Sequence, residues 1–304
     1  MNSRFLLVLS ITLLVFCQAC LARPTTTKKS NDTSSASTAS TSIKKGKHFD
    51  RVVIIVMENQ DYDVAYKDKF LQGLNKEYGN GIMLTNYLAT THPSQPNYIA
   101  MISGSTKGTK EDDESNIDRK NIVDLLEAKG ISWKTYQEDY PGNCNKKMDI
   151  GKYARKHNPF MSFKNISGDK KRCAKIVNSK QLDKDIASNK VPQFVFYTPD
   201  IDNDAHDTNM KFGSNWLKKF LSTRIKQKAF NENTMFVLTF DEDDGASDNN
   251  KVLTVLFGPD FHPKSKSNKD KTKYTHYSLL KTIEDNWGLG NLGQNDKKAN
   301  IIKL

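Results

Sequence analysis

The hydrophobic residues of this chain form short uninterrupted runs that alternate with segments of helical periodicity. The most apolar run is 52–56, where five β-branched residues follow one another. Such a run is typical of a strand that is buried on both faces, as in a parallel sheet covered by helices. The other predicted strands are 82–88, 131–136, 191–198, 234–240 and 252–257, and the predicted helices are 68–78, 96–102, 121–129, 212–225 and 274–287.

This alternation of strands and helices predicts an α/β fold, a three-layer α/β/α sandwich with a mostly parallel central sheet. The 304 residues are 37% hydrophobic and 27% charged, which is enough apolar material for one large domain. The segment 138–180 is polar and irregular, so we expect an insertion over one edge of the sheet.

The first 47 residues have a different pattern. Residues 1–22 combine a positive Arg4, an apolar run and a small-residue cleavage site, which indicates a signal peptide. Residues 23–47 are almost all Thr, Ser, Lys and Ala and predict a disordered stalk. No later run has the length of a transmembrane segment. We therefore predict a secreted protein, extracellular or in the cell wall, whose catalytic domain covers 48–304.

Export also bears on the cysteines and on glycosylation. Removal of residues 1–22 leaves two of the four cysteines, Cys144 and Cys173. In an oxidising compartment this pair is expected to form a disulfide, the alternative being two free buried thiols. Asn31 and Asn165 begin N-glycosylation sequons.

The formal net charge of +11 raises the question of a nucleic-acid partner. The lysines are spread thinly along the chain, without interleaved aromatic residues or a nucleic-acid-binding module, so we expect no nucleic acid. The charge is interpreted as solvated faces or as a field that steers anionic substrates.

Polar clusters follow four of the predicted strands, at 58–59, 92–97, 200–207 and 241–244. Taken singly, each cluster could be a solvated loop or a helix cap. Open α/β sheets, however, bind ligands outside the carboxyl ends of their strands. The many oxygen ligands predict one shared site for a divalent cation such as Mg²⁺, Ca²⁺ or Mn²⁺, although zinc also accepts carboxylates.

Ser94 and the histidines are the candidates for chemistry at that edge. Ser94 precedes a predicted helix and has two compatible roles, as the helix cap or as a nucleophile beside a metal. Four of the six histidines lie in polar clusters, where each is either a structural imidazole or a proton donor to a transferring phosphoryl group. These four are His92, His157, His206 and His276.

Six stretches, in order along the domain, resemble the secreted phosphoesterases that include fungal acid phosphatases and non-specific phospholipases C. They are Val-Met-Glu-Asn-Gln (56–60), Thr-His-Pro-Ser-Gln-Pro-Asn-Tyr (91–98), Lys-His-Asn-Pro-Phe (156–160), Thr-Pro-Asp-Ile-Asp-Asn-Asp-Ala-His-Asp (198–207), Thr-Phe-Asp-Glu-Asp (239–243) and Thr-His-Tyr-Ser-Leu-Leu-Lys-Thr-Ile-Glu-Asp (275–285).

The resemblance implies an alkaline-phosphatase-like fold and a mechanism with a phosphoryl-enzyme intermediate. It implies that Ser94 is the nucleophile and that Asn97 holds a phosphate oxygen. The other implied residues are the metal ligands Glu58, Asn59, Asp241 and Glu242 and, around the phosphoryl and leaving groups, His92, His206 and His276.

One departure separates the branches of this family. The phospholipase branch typically reads Asp-Glu-His-Gly-Gly, whereas Asp243, Asp244 and Gly245 follow Asp241 and Glu242 here. This resembles the acid phosphatase branch and predicts a metal-dependent acid phosphatase that hydrolyses small phosphomonoesters through a phosphoserine. The alternatives are a phosphodiesterase or phospholipase C of the same family and, from another class, an inactive basic module that binds the cell wall.

Overall fold

The centre of the fold is strand β1 (Arg51–Met57), whose seven residues are all buried. The computed structural model describes residues 43–79, 81–245, 249–263 and 267–304. The predicted signal peptide, the predicted stalk up to residue 42 and the sequon at Asn31 lie outside these ranges. Burial of every side chain of β1 agrees with the prediction of a strand covered on both faces.

The elements of the described chain alternate much as the sequence predicts. The strands are β1, β2 (Ile82–Leu88), β3 (Trp133–Gln137), β4 (Asp149–Ile150), β5 (Tyr153–Ala154), β6 (Ile176–Asn178), β7 (Phe194–Thr198), β8 (Thr234–Phe240), β9 (Lys251–Phe257), β10 (Lys269–Asp270) and β11 (Tyr274–Thr275). The helices are α1 (Tyr62–Lys67), α2 (Lys69–Glu77), α3 (Ser94–Ser103), α4 (Ile122–Ala128), α5 (Lys164–Ser167), α6 (Lys170–Cys173), α7 (Gln181–Ala187), α8 (Met210–Arg224), α9 (Lys228–Asn231) and α10 (His276–Trp287). Single 3-10 turns lie at Arg155–His157, Pro159–Ser162 and Asn295–Lys298.

Nine of these strands form one sheet in the order β10, β2, β9, β8, β1, β7, β3, β6, with β11 also paired to β2. The pairs of β1 with β7 and β8 are parallel, as are those of β3 with β7 and β6. Among the described strands of this sheet, only β9 runs the other way, antiparallel to both β8 and β2. The predicted mostly parallel sheet is therefore confirmed, and β1, β2, β7 and β8 all end at the same edge.

Helices cover both faces of the sheet, which confirms the three-layer architecture. Neighbouring residues of a strand point to opposite faces. In β7, the ring of Phe196 lies 6.4 Å from the ring of Tyr98 in α3, whereas the ring of Tyr197 lies 4.6 Å from that of Phe220 in α8. Thus α3 packs on one face, where α10 contacts it, and α8 packs on the other.

The segment 138–180 is less irregular than predicted. It contains short strands, 3-10 turns and two short helices, and its strand β6 extends the main sheet beside β3. The predicted disulfide between Cys144 and Cys173 is present. Asn165 donates its amide nitrogen to Asp124 at 2.9 Å, so a glycan on that atom would displace this hydrogen bond; glycosylation there stays a prediction.

The chain is tied to the domain a few residues before the predicted boundary at 48. The backbone N–H of Lys44 donates to Gln193 Oε1 at 3.0 Å, and that of Lys47 donates to the Asn286 carbonyl at 2.9 Å. Residues 44–47, predicted as the end of the stalk, therefore follow the surface of the domain. Among the described residues, no helix combines the length and apolarity that a bilayer crossing requires.

Candidate active site

Three of the predicted polar clusters meet at the hydroxyl of Ser94. Its Oγ lies 2.8 Å from Glu242 Oε1 and 3.0 Å from Glu58 Oε2, and both contacts are buried. Asn59 Oδ1 is 3.4 Å from the same Oγ. Glu58 follows β1, Glu242 follows β8, and Ser94 begins the helix after β2. The parallel strands therefore bring together side chains that are up to 148 residues apart in the sequence.

Asp241 completes the predicted ligand set behind this hydroxyl. Its Oδ1 accepts a hydrogen bond from the backbone N–H of Asn59 at 3.3 Å. Its Oδ2 is buried and has no hydrogen-bond partner among the described residues. A buried carboxylate oxygen without a donor is costly unless a cation or a proton neutralises it. Asp241 is therefore suited to bind a positive ligand.

The helix that carries Ser94 begins differently from the prediction. Ser94 is the first residue of α3 and not its cap, and Pro93 at the cap position offers no side-chain hydrogen bond. Asp112 instead accepts the Gln95 backbone N–H at 2.8 Å, which satisfies one free donor of the first turn from a distant loop. The Ser94 hydroxyl is thus left for the carboxylates.

Asn97 differs from its predicted role as a phosphate ligand. Its Oδ1 accepts the backbone N–H groups of Thr90 and Thr91 at 2.9 and 3.1 Å. Its Nδ2 donates to the carbonyls of Thr91 and Pro93 at 2.7 and 3.2 Å. The side chain is fully buried and its hydrogen-bonding groups serve the loop before α3. In this structure the Asn97 amide therefore orders the loop that leads into α3.

His276 also differs from its predicted place beside the phosphoryl group. The imidazole is fully buried, with Nε2 2.7 Å from the Asp241 carbonyl and Nδ1 3.3 Å from the Tyr87 hydroxyl. Burial lowers the pKa of His276 to about 4, although the hydrogen bond to Asp241 opposes this shift. His276 is therefore neutral at ordinary pH, donates from Nε2, and supports Asp241 from behind.

His92 and His206 lie on the more open side of the cluster. The side chain of His92 is 46% exposed, and its Nδ1 lies 2.5 Å from Glu242 Oε2. The side chain of His206 is 29% exposed, and its Nδ1 lies 2.6 Å from Asp207 Oδ1. Each imidazole is oriented by a carboxylate, as a proton-transfer group requires. The structure thus brings these two predicted residues to the rim.

The sequence indicates His157 only as one of four candidate histidines and gives Asp204 no separate role, whereas the structure groups both with Glu58. His157 Nε2 lies 3.1 Å from Glu58 Oε1, and His157 Nδ1 lies 3.3 Å from Asp204 Oδ2. These three side chains form a buried group with the spacing of a metal site. The resembling stretches at 156–160 and 198–207 contained both residues, but only the fold shows that they face Glu58.

A second missed group is the ion pair of Lys156 and Asp112. Lys156 Nζ lies 3.0 Å from Asp112 Oδ2 and donates to His206 Nε2 at 3.3 Å. Burial alone would lower the pKa of Lys156, but Glu58 and Asp112 raise it above its usual value, so the ammonium is charged. Because His206 Nε2 accepts from this ammonium, a neutral His206 carries its proton on Nδ1, towards Asp207.

Four carboxylates crowd the interior of the site, and each has a raised pKa. Burial raises the pKa of Glu58 well above its usual value, and Asp204 adds to the shift. Burial and then the charges of Glu58 and Glu242 raise the pKa of Asp241. Burial likewise raises the pKa values of Asp204 and Glu242. Four acids at this density repel one another unless protons or a cation neutralise them.

The donor set fits a divalent cation. Carboxylates, the Asn59 amide oxygen and the Ser94 hydroxyl converge on one point, and Asp241 Oδ2 is a buried oxygen without a protein partner among the described residues. Oxygen ligands of this kind suit Mg²⁺, Ca²⁺ or Mn²⁺. The adjoining group of Glu58, His157 and Asp204 adds an imidazole and is equally able to hold a metal ion.

Comparison with known proteins finds phosphoesterases. A model of the Phosphoesterase family matches residues 66–290. A phosphate-repressible acid phosphatase of Penicillium chrysogenum is 42% identical over 269 residues, which are 86% of this chain and 64% of the relative. A phosphatidylinositol-3-phosphatase of Mycobacterium tuberculosis is 33% identical over 81% of this chain and 79% of the relative. The chain thus spans slightly less than two thirds of the fungal relative.

The fold has neighbours among solved structures. A protein of the alkaline phosphatase superfamily from Vibrio parahaemolyticus superposes with a TM-score of 0.57 at 14% identity, covering 84% of this chain and 71% of the neighbour. At this identity the likeness concerns the fold alone. It confirms the alkaline-phosphatase-like architecture that the resemblance implied.

Proposed function

Because this chain belongs to the Phosphoesterase family, we propose that it is a metal-dependent phosphatase that hydrolyses phosphomonoesters through a phosphoserine at Ser94. The observation that carries the proposal is the convergence of Glu58, Asn59 and Glu242 on the Ser94 hydroxyl. A serine that only capped its helix would not need two buried carboxylates within hydrogen-bond distance.

The residues of this chain would prepare the first step. Glu58, Asn59, Asp241 and Glu242 would hold a divalent cation, which when bound supplies positive charge that lowers the pKa of the serine and neutralises phosphoryl oxygens. Ser94 Oγ would give its proton to Glu242, 2.8 Å away, and attack phosphorus in line with the ester oxygen, so that a P–Oγ bond forms while the bond to the leaving group breaks. Glu242 would return this proton to Ser94 Oγ when the phosphoserine is hydrolysed. Asn97 would keep Ser94 in position.

The imidazole of His92 would move the protons, because both ring nitrogens of His206 already contact Lys156 and Asp207. In the first half-reaction, His92 would give a proton to the departing alkoxide. In the second, the same imidazole would take a proton from water as the water oxygen attacks phosphorus and the bond to Ser94 Oγ breaks. The carboxylate of Glu242 would hold the His92 ring close to the leaving group, and that of Asp207 would orient His206.

Monoesters are proposed as substrates because the matched relatives are named for them. The Penicillium relative is an acid phosphatase, and the mycobacterial relative is a phosphatidylinositol-3-phosphatase. Small phosphorylated compounds would suit a site whose imidazoles are partly open to solvent. We further propose export, supported by the signal-like pattern of residues 1–22 and by the Cys144–Cys173 disulfide. Association with the cell wall stays a prediction.

The test is turnover of p-nitrophenyl phosphate between pH 4 and 7, before and after chelation and with single cations restored. We expect activity to disappear with the cation and to return with one of them. Ser94→Ala should lower kcat by roughly 10³-fold or more, the scale of removing a covalent nucleophile. Ser103→Ala is the matched control, since Ser103 is a buried serine of the same helix whose hydroxyl contacts backbone oxygens and Arg119. A Ser94→Ala protein with near wild-type turnover would disprove the assignment.

A further inference from the structure

The site has few groups to receive a phosphate dianion. Its interior is formed by four carboxylates, which repel anions. The helix N-terminus, a common source of donors to phosphate, offers little here. In its first turn the Gln95 N–H already donates to Asp112 and Pro96 has no N–H, and the side-chain amide of Asn97 serves the loop before α3. A bound cation could balance part of the charge, but the phosphoryl oxygens still need donors from side chains.

Lys156 has the charge and the location for this task. It belongs to the 3-10 turn Arg155–His157, directly before the imidazole that contacts Glu58. Its side chain is 20% exposed, so the ammonium is shielded from bulk water but not sealed from it. The amine contacts His206 at 3.3 Å, and the next residue, His157, lies 3.1 Å from Glu58, so the ammonium borders the acid cluster.

The contacts of Lys156 leave room for a ligand. An ammonium has three N–H donors. Asp112 and His206 account for two of them. Asp112 is itself fixed, because its other oxygen accepts the N–H of Gln95, the neighbour of Ser94. The ion pair therefore ties the ammonium to the beginning of the helix that carries the nucleophile.

Resting on the function proposed above, we propose that Lys156 binds a non-bridging oxygen of the phosphoryl group, and that Asp112 is the positioning residue that aims it. The third N–H of the ammonium would point to the oxygen while Asp112 keeps the amine beside Ser94. Positive charge at this place stabilises the equatorial oxygens during transfer to and from the serine. The substrate class that this recognises is a phosphomonoester dianion.

The competing explanation is a purely structural ion pair between the 138–180 segment and the loop before α4. A matched control exists in the pair of Lys134 and Asp185, which lie 2.5 Å apart. The Lys134 side chain is 23% exposed, close to the value for Lys156, and its partner lies on α7. Lys134→Met therefore removes a comparable ion pair without touching the site.

The experiment compares full-length wild type, Lys156→Met, Lys156→Arg and Lys134→Met. We would measure kcat and KM on p-nitrophenyl phosphate and, by calorimetry, the affinity for inorganic phosphate.

Lys156→Met should lower kcat/KM by about 10²-fold, as for the loss of one preorganised donor to the transition state. It should also weaken phosphate binding by about 10-fold, the loss of one charge-assisted hydrogen bond. Lys156→Arg should recover part of both, and Lys134→Met should change neither. Asp112→Asn keeps the ammonium but removes the carboxylate that positions it. The factor by which kcat falls should therefore be larger than the factor by which the affinity for phosphate falls.

The possible outcomes distinguish a failure of the proposed role of Lys156 from a failure of the proposed phosphatase activity. If wild type hydrolyses the ester and Lys156→Met matches it in kcat/KM and phosphate affinity, the role of Lys156 is disproved and the phosphatase stands. The role of Lys156 is equally disproved if the losses equal only the drop in folded fraction seen by circular dichroism. If folded wild type neither turns over the ester nor binds phosphate, both proposals fall.

Discussion

This protein has two groups of acidic side chains that are similarly buried but differ in the groups that contact them. The first surrounds Ser94, where four carboxylates lie at the carboxyl ends of the strands. The second is Glu284 on α10 with Asp296 in the last 3-10 turn, both almost completely buried. In the first group, the Ser94 hydroxyl and the imidazoles of His92 and His157 contact the carboxylates.

In the second group, backbone N–H groups contact Asp296, whereas both side-chain oxygens of Glu284 are buried without a hydrogen-bond partner among the described residues. Asp296 accepts the N–H groups of Leu292 and Gln294 at 2.6 and 2.8 Å, which hold the loop after α10. Lys281 donates to backbone carbonyls at 296 and 297 and not to a carboxylate. Burial, and then the charge of Asp296, raises the pKa of Glu284 to about 8. This acid therefore keeps a proton at neutral pH.

A raised carboxyl pKa does not by itself mark an active site. Both groups show the shift, because both are desolvated and both place acids side by side. What distinguishes the first is a serine hydroxyl within 3.0 Å of two carboxylates, and partly exposed imidazoles at its rim. The second contacts the backbone of the loop after α10.

The largest effect on activity is expected from neutralising one acid of the first group. Glu58→Gln removes a carboxylate that serves both Ser94 and His157. We expect kcat/KM to fall by more than about 100-fold, since even the outer partners of metal ligands are each worth 10–100-fold. Steady-state kinetics and the stoichiometry of bound metal check this. Unchanged metal content with unchanged kinetics would show that Glu58 belongs with the structural acids.

A smaller effect, on stability and not on activity, is expected from the same change in the second group. Glu284→Gln should leave kcat/KM at its wild-type value and alter only the pH dependence of stability. The pKa of Glu284 is raised in the folded state, so wild-type stability is highest below the unfolded value near 4.5 and declines as pH rises to about 8. The variant lacks this decline.

Thermal unfolding between pH 4.5 and 8 measures the effect. The melting temperature of Glu284→Gln minus that of wild type should grow with pH across this window and level off above it. Glu77→Gln, at an exposed position, is the control for a general change of charge. A difference that stays constant with pH, or a loss of turnover, would remove the distinction between the two groups.

The fold, and the meeting of Glu58, Ser94 and Asp241 at one edge of the sheet, could be predicted from the sequence because they follow from strand ends. The β-branched run of β1 and the apolar run of β8 fix where the sheet lies, and Glu58 and Asp241 follow them directly. Parallel strands must then bring these residues to one edge, together with Ser94 after β2. No contact between distant loops had to be known for this inference.

The remaining residues depend on loop geometry, which periodicity does not encode. Lys156, His157 and Asp112 reach the site from the 138–180 segment and from the loop before α4. Asn97 and His276 have residue types that suit phosphate binding, but the structure commits their polar atoms to protein partners. Whether an amide or an imidazole is free can be judged only once its neighbours are placed.

The central claim is that Ser94 becomes phosphorylated during turnover. The most direct measurement is rapid acid quenching of the full-length protein with ³²P-labelled phosphomonoester, followed by peptide mapping of the label. The account predicts a phosphoserine at Ser94, formed no more slowly than product is released and absent from Ser94→Ala. Turnover without label on the protein, or label on His92 or His206, would contradict it.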